Sequence, residues 1–173
     1  ERAQAGGLVP EGVLLAVGPA DPQVIAALAN RAEDYVFLAM DNCPHQAVLW
    51  GTSEAIAQAE QQLRRQGTVC QKLPFSRAYH TPLFAPVCDE LEAFYANATF
   101  TKPEIPLSSC VTAARVSDDP ETIRHLALEH WASPVRFRET VESLYADGAR
   151  IFVEVGPAAN LTAFVTDILR TKD

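Results

Sequence analysis

The stretch Tyr35-Val36-Phe37-Leu38-Ala39-Met40-Asp41-Asn42-Cys43-Pro44-His45-Gln46-Ala47-Val48-Leu49-Trp50-Gly51 holds two apolar runs on either side of a short turn. Tyr35–Met40 and Gln46–Trp50 have the length and side chains of strands, Asp41-Asn42-Cys43-Pro44 has turn residues, and Gly51 closes the second run. Upstream, Val13-Leu14-Leu15-Ala16-Val17 is another short apolar run, ending at Gly18-Pro19. Asp21-Pro22 then reads as an N-cap with proline at the first helical position. A helix from there to about Arg31 sets Val24, Ile25, Leu28 and Ala29 on one face. Downstream, residues 53–66 read as a helix with Ile56, Ala59 and Leu63 on one side. Gly67 stops it, and Thr68–Leu73 is a further strand. The order over residues 13–73 is βαββαβ, which predicts a ferredoxin-like unit with its split βαβ topology.

On the N-terminal side, residues 1–12 are Gly-rich, end in Val9-Pro10-Glu11-Gly12, and read as a connector. The opening Glu1-Arg2-Ala3-Gln4 has neither an initiator Met nor the apolar run of a secretion signal, so the chain is expected to be a piece of something longer. On the C-terminal side, residues 74–173 change in character. Pro82 to about Asn97 is an amphipathic helix carrying Leu83, Val87, Leu91 and Phe94. Pro120–Trp131, Pro134–Ala146 and about Asn160–Arg170 are three more, while Ile105–Val111 and Arg150–Val155 read as strands. Two strands cannot form a covered parallel sheet alone, so this half is expected to need strands from elsewhere.

With 173 residues and 48% hydrophobic side chains the chain can bury a core, which excludes disorder. Lys and Arg number 14 against 22 Asp and Glu, for a net charge of −8. That balance provides no basic footprint for nucleic acid or an anionic membrane, and no apolar run is long enough to span a bilayer. Cys43, Cys70, Cys88 and Cys110 form no C-x-x-C pair and lie in apolar contexts, so they read as structural thiols of a reduced, cytoplasmic protein.

Several residues are candidates for chemistry. His80 sits in Ser76-Arg77-Ala78-Tyr79-His80-Thr81-Pro82, between a strand and a helix, where it is either a positioned general base or a capping and surface group. Gly51-Thr52-Ser53-Glu54-Ala55 imitates a nucleophile elbow, but lacks the closing glycine, and Ser53 reads as the N-cap of the next helix. His125 and His130 are five apart, off a common helix face, so with Glu129 they do not make a metal motif, and no metal is expected. Glu154-Val155-Gly156-Pro157 reads as a strand-to-helix turn.

Four of these segments, in order, carry a resemblance: Ala39 to Gly51; Tyr79-His80-Thr81-Pro82-Leu83-Phe84; Trp131-Ala132-Ser133-Pro134-Val135-Arg136-Phe137; and Phe152-Val153-Glu154-Val155-Gly156-Pro157. Together they resemble the acyltransferase domain of type I polyketide synthases and the related malonyl-CoA:acyl carrier protein transacylases. The resemblance spans nearly the whole chain, and the wording around Leu144–Leu169 is most similar to iterative synthases of the enediyne type, which make antibiotics.

The resemblance implies an α/β fold in which residues 13–73 are a ferredoxin-like small subdomain and residues 74–173 the C-terminal part of an α/β-hydrolase-like large one. It implies ping-pong transfer of a malonyl group from coenzyme A to an acyl carrier protein, without a bound cofactor. A Ser attacks the thioester, a His carries its proton, and backbone N–H groups hold the oxyanion. The matching His is His80, and the main-chain carbonyl expected to hold its other ring nitrogen is that of His130. The family's G-H-S-x-G segment and the Arg for the malonyl carboxylate are absent from these residues. The nucleophile is therefore expected on an N-terminal part outside them, and the chain alone is expected to be inactive. Neighbouring synthase domains are further expected partners. Asn42, Ser76, Arg77 and Tyr79 are cleft candidates. Arg77-Ala78-Tyr79-His80 matches neither the His-Ala-Phe-His that often marks malonyl nor the Tyr-Ala-Ser-His that often marks methylmalonyl specificity. The bulk of Tyr79 favours malonyl. The alternative is a non-catalytic module that docks the acidic carrier protein, for which Arg64-Arg65, Lys72 and Arg77 are the candidate basic strip.

Overall fold

The computed structural model describes residues 9–29 and 35–172. The apolar runs of the first half become four strands: β1 (Val13–Gly18), β2 (Val36–Cys43), β3 (Gln46–Gly51) and β4 (Val69–Lys72). α1 (Pro22–Ala29) lies between β1 and β2, and α2 (Ser53–Arg65) between β3 and β4. The strand order is β4-β1-β3-β2, every neighbour antiparallel, so each helix crosses over a strand that comes from elsewhere in the unit. Residues 30–34, where the sequence places the end of the first helix at Arg31, lie outside the described residues.

Strand alternation divides the core between the two faces of this sheet. Leu15, Val17 and Leu49 point to one face, where Ile25 and Leu28 of α1 and Ile56 and Leu63 of α2 cover them. Leu14, Val48 and Trp50 point to the other, where they meet Ala78, Phe84 and Val87 from the second half. Trp50 is fully buried, and its indole N–H has no hydrogen-bond partner among the described residues. Gly18 ends β1 against the β2–β3 turn, where a Cβ would run into the His45 carbonyl, so only glycine fits there.

The second half builds from helices. A 3-10 turn at Pro82–Phe84 leads into α3 (Ala85–Ala96), where one continuous helix is expected from the sequence. α4 spans Pro120–Ala132, α5 Phe137–Ala146 and α6 Asn160–Ile168. Short strands β5 (Ser108–Ser109) and β6 (Ala114–Arg115) form a separate antiparallel ribbon, so little of the strand expected over Ile105–Val111 is paired. Val135–Arg136, expected inside a helix, is instead strand β7. It joins the main sheet parallel to β2, with Met40 opposite Val135 and Asp41 opposite Arg136. The two halves therefore share one sheet, and α5 and α6 pack around Cys43 at its β2 end through Val141 and Ile168.

Three further expectations differ from the structure. β2 continues through Asp41-Asn42-Cys43, and the turn is only Pro44-His45. Register shifts at Leu38/Met40 and Asp41/Cys43 let these polar residues stay in the strand. Residues 1–8 of the expected connector lie outside the described residues, but residues 9–12 are tied to the fold. Val9 is buried, Glu11 bridges to Arg77, and the Gly12 N–H donates to the Ser76 carbonyl at 2.7 Å. Arg150–Val155, expected as a strand, has no ladder partner among the described residues, although its exposure alternates with the strand period of two. Ile151, Val153 and Val155 are 86%, 80% and 97% exposed, while Phe152 packs against the α5–α6 core. The pattern is that of a strand, and the missing element is a neighbour.

Candidate functional site

α4 ends near the 3-10 turn, and its end determines the site. The last carbonyls of a helix have no intrahelical donor and must be satisfied by something else. Here His80 satisfies two of them. Its main-chain N–H donates to the Trp131 carbonyl at 2.9 Å, and its Nδ1 lies 2.9 Å from the His130 carbonyl oxygen. A carbonyl only accepts, so Nδ1 carries the proton and Nε2 presents a bare lone pair in the neutral ring.

Holding the ring there requires an unusual backbone. His80 has φ of 60°, the left-handed region that few non-glycine residues adopt. The flanking residues fix it. Thr81 is fully buried and its hydroxyl donates to the Ala78 carbonyl at 2.8 Å, while the Phe84 N–H donates to the Thr81 carbonyl at 3.0 Å. Strain of this kind persists where the surroundings over-determine it.

The His130 ring itself stands against His80, with centroids 5.0 Å apart and planes at 74°. Burial, and then the charge of His80, hold the His130 imidazole below its ordinary range. His130 also lines a groove of about 310 Å³ between the β5–β6 ribbon and α4, walled mainly by apolar side chains such as Leu107, Ile123 and Leu126.

The other expected site residues are distributed differently. Tyr79 packs on Phe84, centroids 5.1 Å apart, and on Trp131 at 6.5 Å, so its ring belongs to the aromatic cluster beneath His80. Asn42 is buried in β2 and its Nδ2 donates to Gln46 Oε1 at 2.8 Å, across the hairpin. Ser76 is exposed and uses its carbonyl to hold Gly12. The Arg77 guanidinium donates to the Val9 carbonyl at 3.2 Å and lies 3.5 Å from Glu11, so it anchors the segment before β1. The geometry thus joins His80 with His130, while Asn42, Ser76 and Arg77 have local partners.

Ser53 is the first residue of α2, and the N-cap is Thr52, whose hydroxyl accepts from the Ala55 N–H at 3.2 Å. His125 faces Glu129 at 4.0 Å on the exposed side of α4, away from His130. Among the described residues no group of three metal-ligating side chains comes together.

Sequence reasoning missed one cluster entirely. Nδ1 of His45, in the β2–β3 turn, reaches Asp167 of α6 at 2.8 Å, and Arg170 joins the same carboxylate at 3.2 Å. Burial and the Asp167 carboxylate beside it push the Cys43 thiol up to about 11. Asp41 likewise accepts two hydrogen bonds from Arg138 of α5, at 2.7 and 3.0 Å. His45 and Asp167, and Asp41 and Arg138, are about a hundred residues or more apart, so no local pattern joins them.

Residues 8–173 match the acyl transferase domain family. The chain is 31% identical over 159 residues to the phenolphthiocerol synthesis polyketide synthase type I Pks15/1 of Mycobacterium marinum, covering 91% of this chain and 7% of that protein. It is 27% identical over 164 residues to the malonyl CoA-acyl carrier protein transacylase of Bacillus subtilis, covering 92% of this chain and 51% of that one. Among solved structures, MCAT from Streptococcus pneumoniae superposes with a TM-score of 0.82 at 29% identity, over 93% of this chain and 53% of that chain. A malonyl-transacylase in complex with its type II polyketide acyl carrier protein superposes with a TM-score of 0.86 at 27% identity, over 95% of this chain and 54% of that chain. The fold is accordingly a mixed α/β acyltransferase fold. The chain belongs to the acyl transferase domain family, related to both the polyketide synthase domains and the free-standing transacylases. It spans about half the length of those transacylases and a small fraction of the synthase.

Proposed function

We propose that this chain is the C-terminal part of a polyketide synthase acyltransferase domain that moves a malonyl group from coenzyme A to an acyl carrier protein. The observation that carries this reading is the His80 Nδ1 contact with the His130 carbonyl, which leaves Nε2 as a proton acceptor. The nucleophilic Ser lies on a segment outside these 173 residues. Its Oγ attacks the thioester carbonyl carbon while His80 Nε2 takes the hydroxyl proton, and backbone N–H groups hold the oxyanion. Collapse breaks the C–S bond, and the imidazolium returns the proton to the departing coenzyme A thiolate. In the second half, the carrier thiol gives its proton to Nε2 and its sulfur attacks the acyl-Ser ester. The proton then goes back to the Ser oxygen. No cofactor enters either half.

In this reading, residues 13–73 are a ferredoxin-like subdomain and residues 74–173 complete an α/β-hydrolase-like subdomain with strands from the missing part. The unpaired, alternating Arg150–Val155 segment supports that division. The wording of Leu144–Leu169 supports an iterative enediyne-type synthase, an antibiotic-producing class, and the thiols support a cytoplasmic location. Tyr79 acts on extender choice through the aromatic cluster rather than from the open cleft.

The docking-module alternative finds less support. Arg64 and Lys72 both pair with Glu60, at 2.8 and 3.6 Å, and Arg77 is committed to the segment before β1. The basic strip it needs is largely occupied. Intact-mass analysis with malonyl-CoA and a holo carrier protein, after assembly with the Ser-bearing segment, tests the choice. His80→Ala is expected to lower transfer by about 10²–10⁴-fold. Undiminished transfer in that variant would remove His80 from the mechanism.

A further inference from the structure

Proton transfer by His80 needs its ring in one orientation and one tautomer, with Nδ1 on the His130 carbonyl and Nε2 free for the Ser hydroxyl. Both depend on the backbone of His80, whose φ of 60° is costly for a residue with a Cβ. Relaxation of φ to a negative value would carry the ring away from the end of α4 and break the bond from its main-chain N–H to the Trp131 carbonyl. Tyr79 and His80 are the middle residues of the turn from Ala78 to Thr81. Thr81 stands at the N-cap of the 3-10 turn Pro82–Phe84, where a Thr oxygen ordinarily accepts from a helix N–H. Its side chain makes no such bond. The hydroxyl instead reaches back across His80 and donates to the Ala78 carbonyl at 2.8 Å. Neither residue has exposed surface, so bulk water does not compete for that bond.

We propose that Thr81 is a positioning residue: its hydroxyl closes the Ala78–Thr81 turn and so keeps the His80 imidazole in the Nδ1–H tautomer, with Nε2 left to take the Ser proton. The packing beneath it leaves this task to the hydroxyl. Phe84 lies on Trp131, centroids 5.9 Å apart and planes at 18°, and the Trp131 indole N–H reaches the Tyr95 hydroxyl at 3.4 Å. That aromatic layer steadies the residue whose carbonyl accepts from His80. Apolar contacts are non-directional, however, so the layer fills the space under the turn while the hydrogen bond sets its conformation. Thr81 acts through His80 and needs no contact with substrate. The inference rests on the reading of His80 as proton carrier, but the hold on the ring is a property of this chain and can be read without transfer.

The test is nitrogen NMR of the imidazole rings in the 173-residue chain, at alkaline pH where the ring shifts no longer change and report the tautomer. The His80 signals are those lost in His80→Asn, chosen because Asn tolerates the left-handed backbone. The unmutated chain is expected to show a protonated Nδ1, a bare Nε2 and a slowly exchanging Thr81 hydroxyl proton. Thr81→Val keeps the shape of the side chain and removes the donor. Its two ring nitrogens are expected to shift toward one another as the second tautomer appears. Thr81→Ser keeps the donor and is expected to retain the separation. In the assembled enzyme, kcat is expected to fall by about 10²-fold in Thr81→Val and to recover most of that loss in Thr81→Ser. A Thr81 of structural value alone would lower the urea midpoint of Thr81→Val without moving the tautomer. An unchanged His80 tautomer in folded Thr81→Val therefore overturns the proposal. Should that variant not fold, the unmutated chain decides: slow hydroxyl exchange supports the proposal and fast exchange overturns it. If the tautomer responds as expected but His80→Ala still transfers in the assembled enzyme, the positioning stands and the mechanism fails.

Discussion

Ala158 and Ala159 have φ of 74° and 52°, side by side before α6, and Ala113 has φ of 52°. An L-residue with a Cβ loses on the order of 1 kcal/mol in this region, which glycine does not. Ala158 is exposed, so Ala158→Gly changes little else. It is expected to stabilise the chain by no more than about 0.6 kcal/mol after the extra freedom of the unfolded glycine is counted. Urea unfolding measures this directly. His80 shares the left-handed backbone, but its strain is held in place by two helix-end carbonyls. Cys43 illustrates the opposite use of burial. With its thiol pushed up to about 11, it is expected to resist alkylation by iodoacetamide at pH 8 in the folded chain and to react once the chain is unfolded. Equal labelling rates in the two states would contradict that assignment.

At the level of elements, caps and strand pairing decide local stability. Thr52 satisfies one of the orphan N–H groups of α2, and Thr52→Ala is expected to cost about 1 kcal/mol in the same urea experiment. β3 is the centre of the sheet, flanked by β1 and β2, whereas Arg150–Val155 has no ladder partner among the described residues. Hydrogen exchange is therefore expected to be slow at Val48 and Leu49 and fast at Ile151 and Val153. Protection of Ile151 and Val153 that rises with protein concentration would mean that a second copy supplies the missing neighbour. The sequence pattern was legible at both places, since each alternates as a strand does. What differs is the availability of a partner within the chain.

For the molecule as a whole, charge and exposed apolar surface set behaviour in solution. The net charge of −8 keeps copies apart, while the Ile151, Val153 and Val155 row favours association through an unpaired edge. Val153→Lys is expected to lower self-association in sedimentation without changing the unfolding midpoint. His130 makes stability depend on pH in a fixed direction. Its folded value is held below the ordinary one, so the unfolded chain takes up a proton first as pH falls through about 6.5. Stability from this group is present above that pH, falls below it, and levels off once the folded ring is protonated as well. For Asp167, burial opposes ionisation, but hydrogen bonds from His45 and Cys43 outweigh it and hold the carboxyl below its usual range. Its contribution is lost at still lower pH. In His130→Gln the fall in stability near pH 6.5 is expected to be shallower.

The sequence by itself determined the parts that depend on neighbours along the chain. Apolar runs of strand length, helical periodicity and the punctuation at Gly18, Gly51 and Gly67 yielded the βαββαβ order of residues 13–73, because these signals act within a few residues. His80 was a candidate from its place between a strand and a helix, but its pairing with the His130 carbonyl was legible only through resemblance, since the two are fifty residues apart and no local pattern joins them. Only the tertiary structure decided the rest. Whether Val135–Arg136 is helix or strand depended on the edge of β2 lying open beside it. Whether Asp41-Asn42-Cys43 is turn or strand depended on bulges and on Arg138 and Asp167 arriving from distant helices. Arg150–Val155 is unpaired among the described residues because backbone hydrogen bonds need a second strand, which no pattern within a single strand can supply.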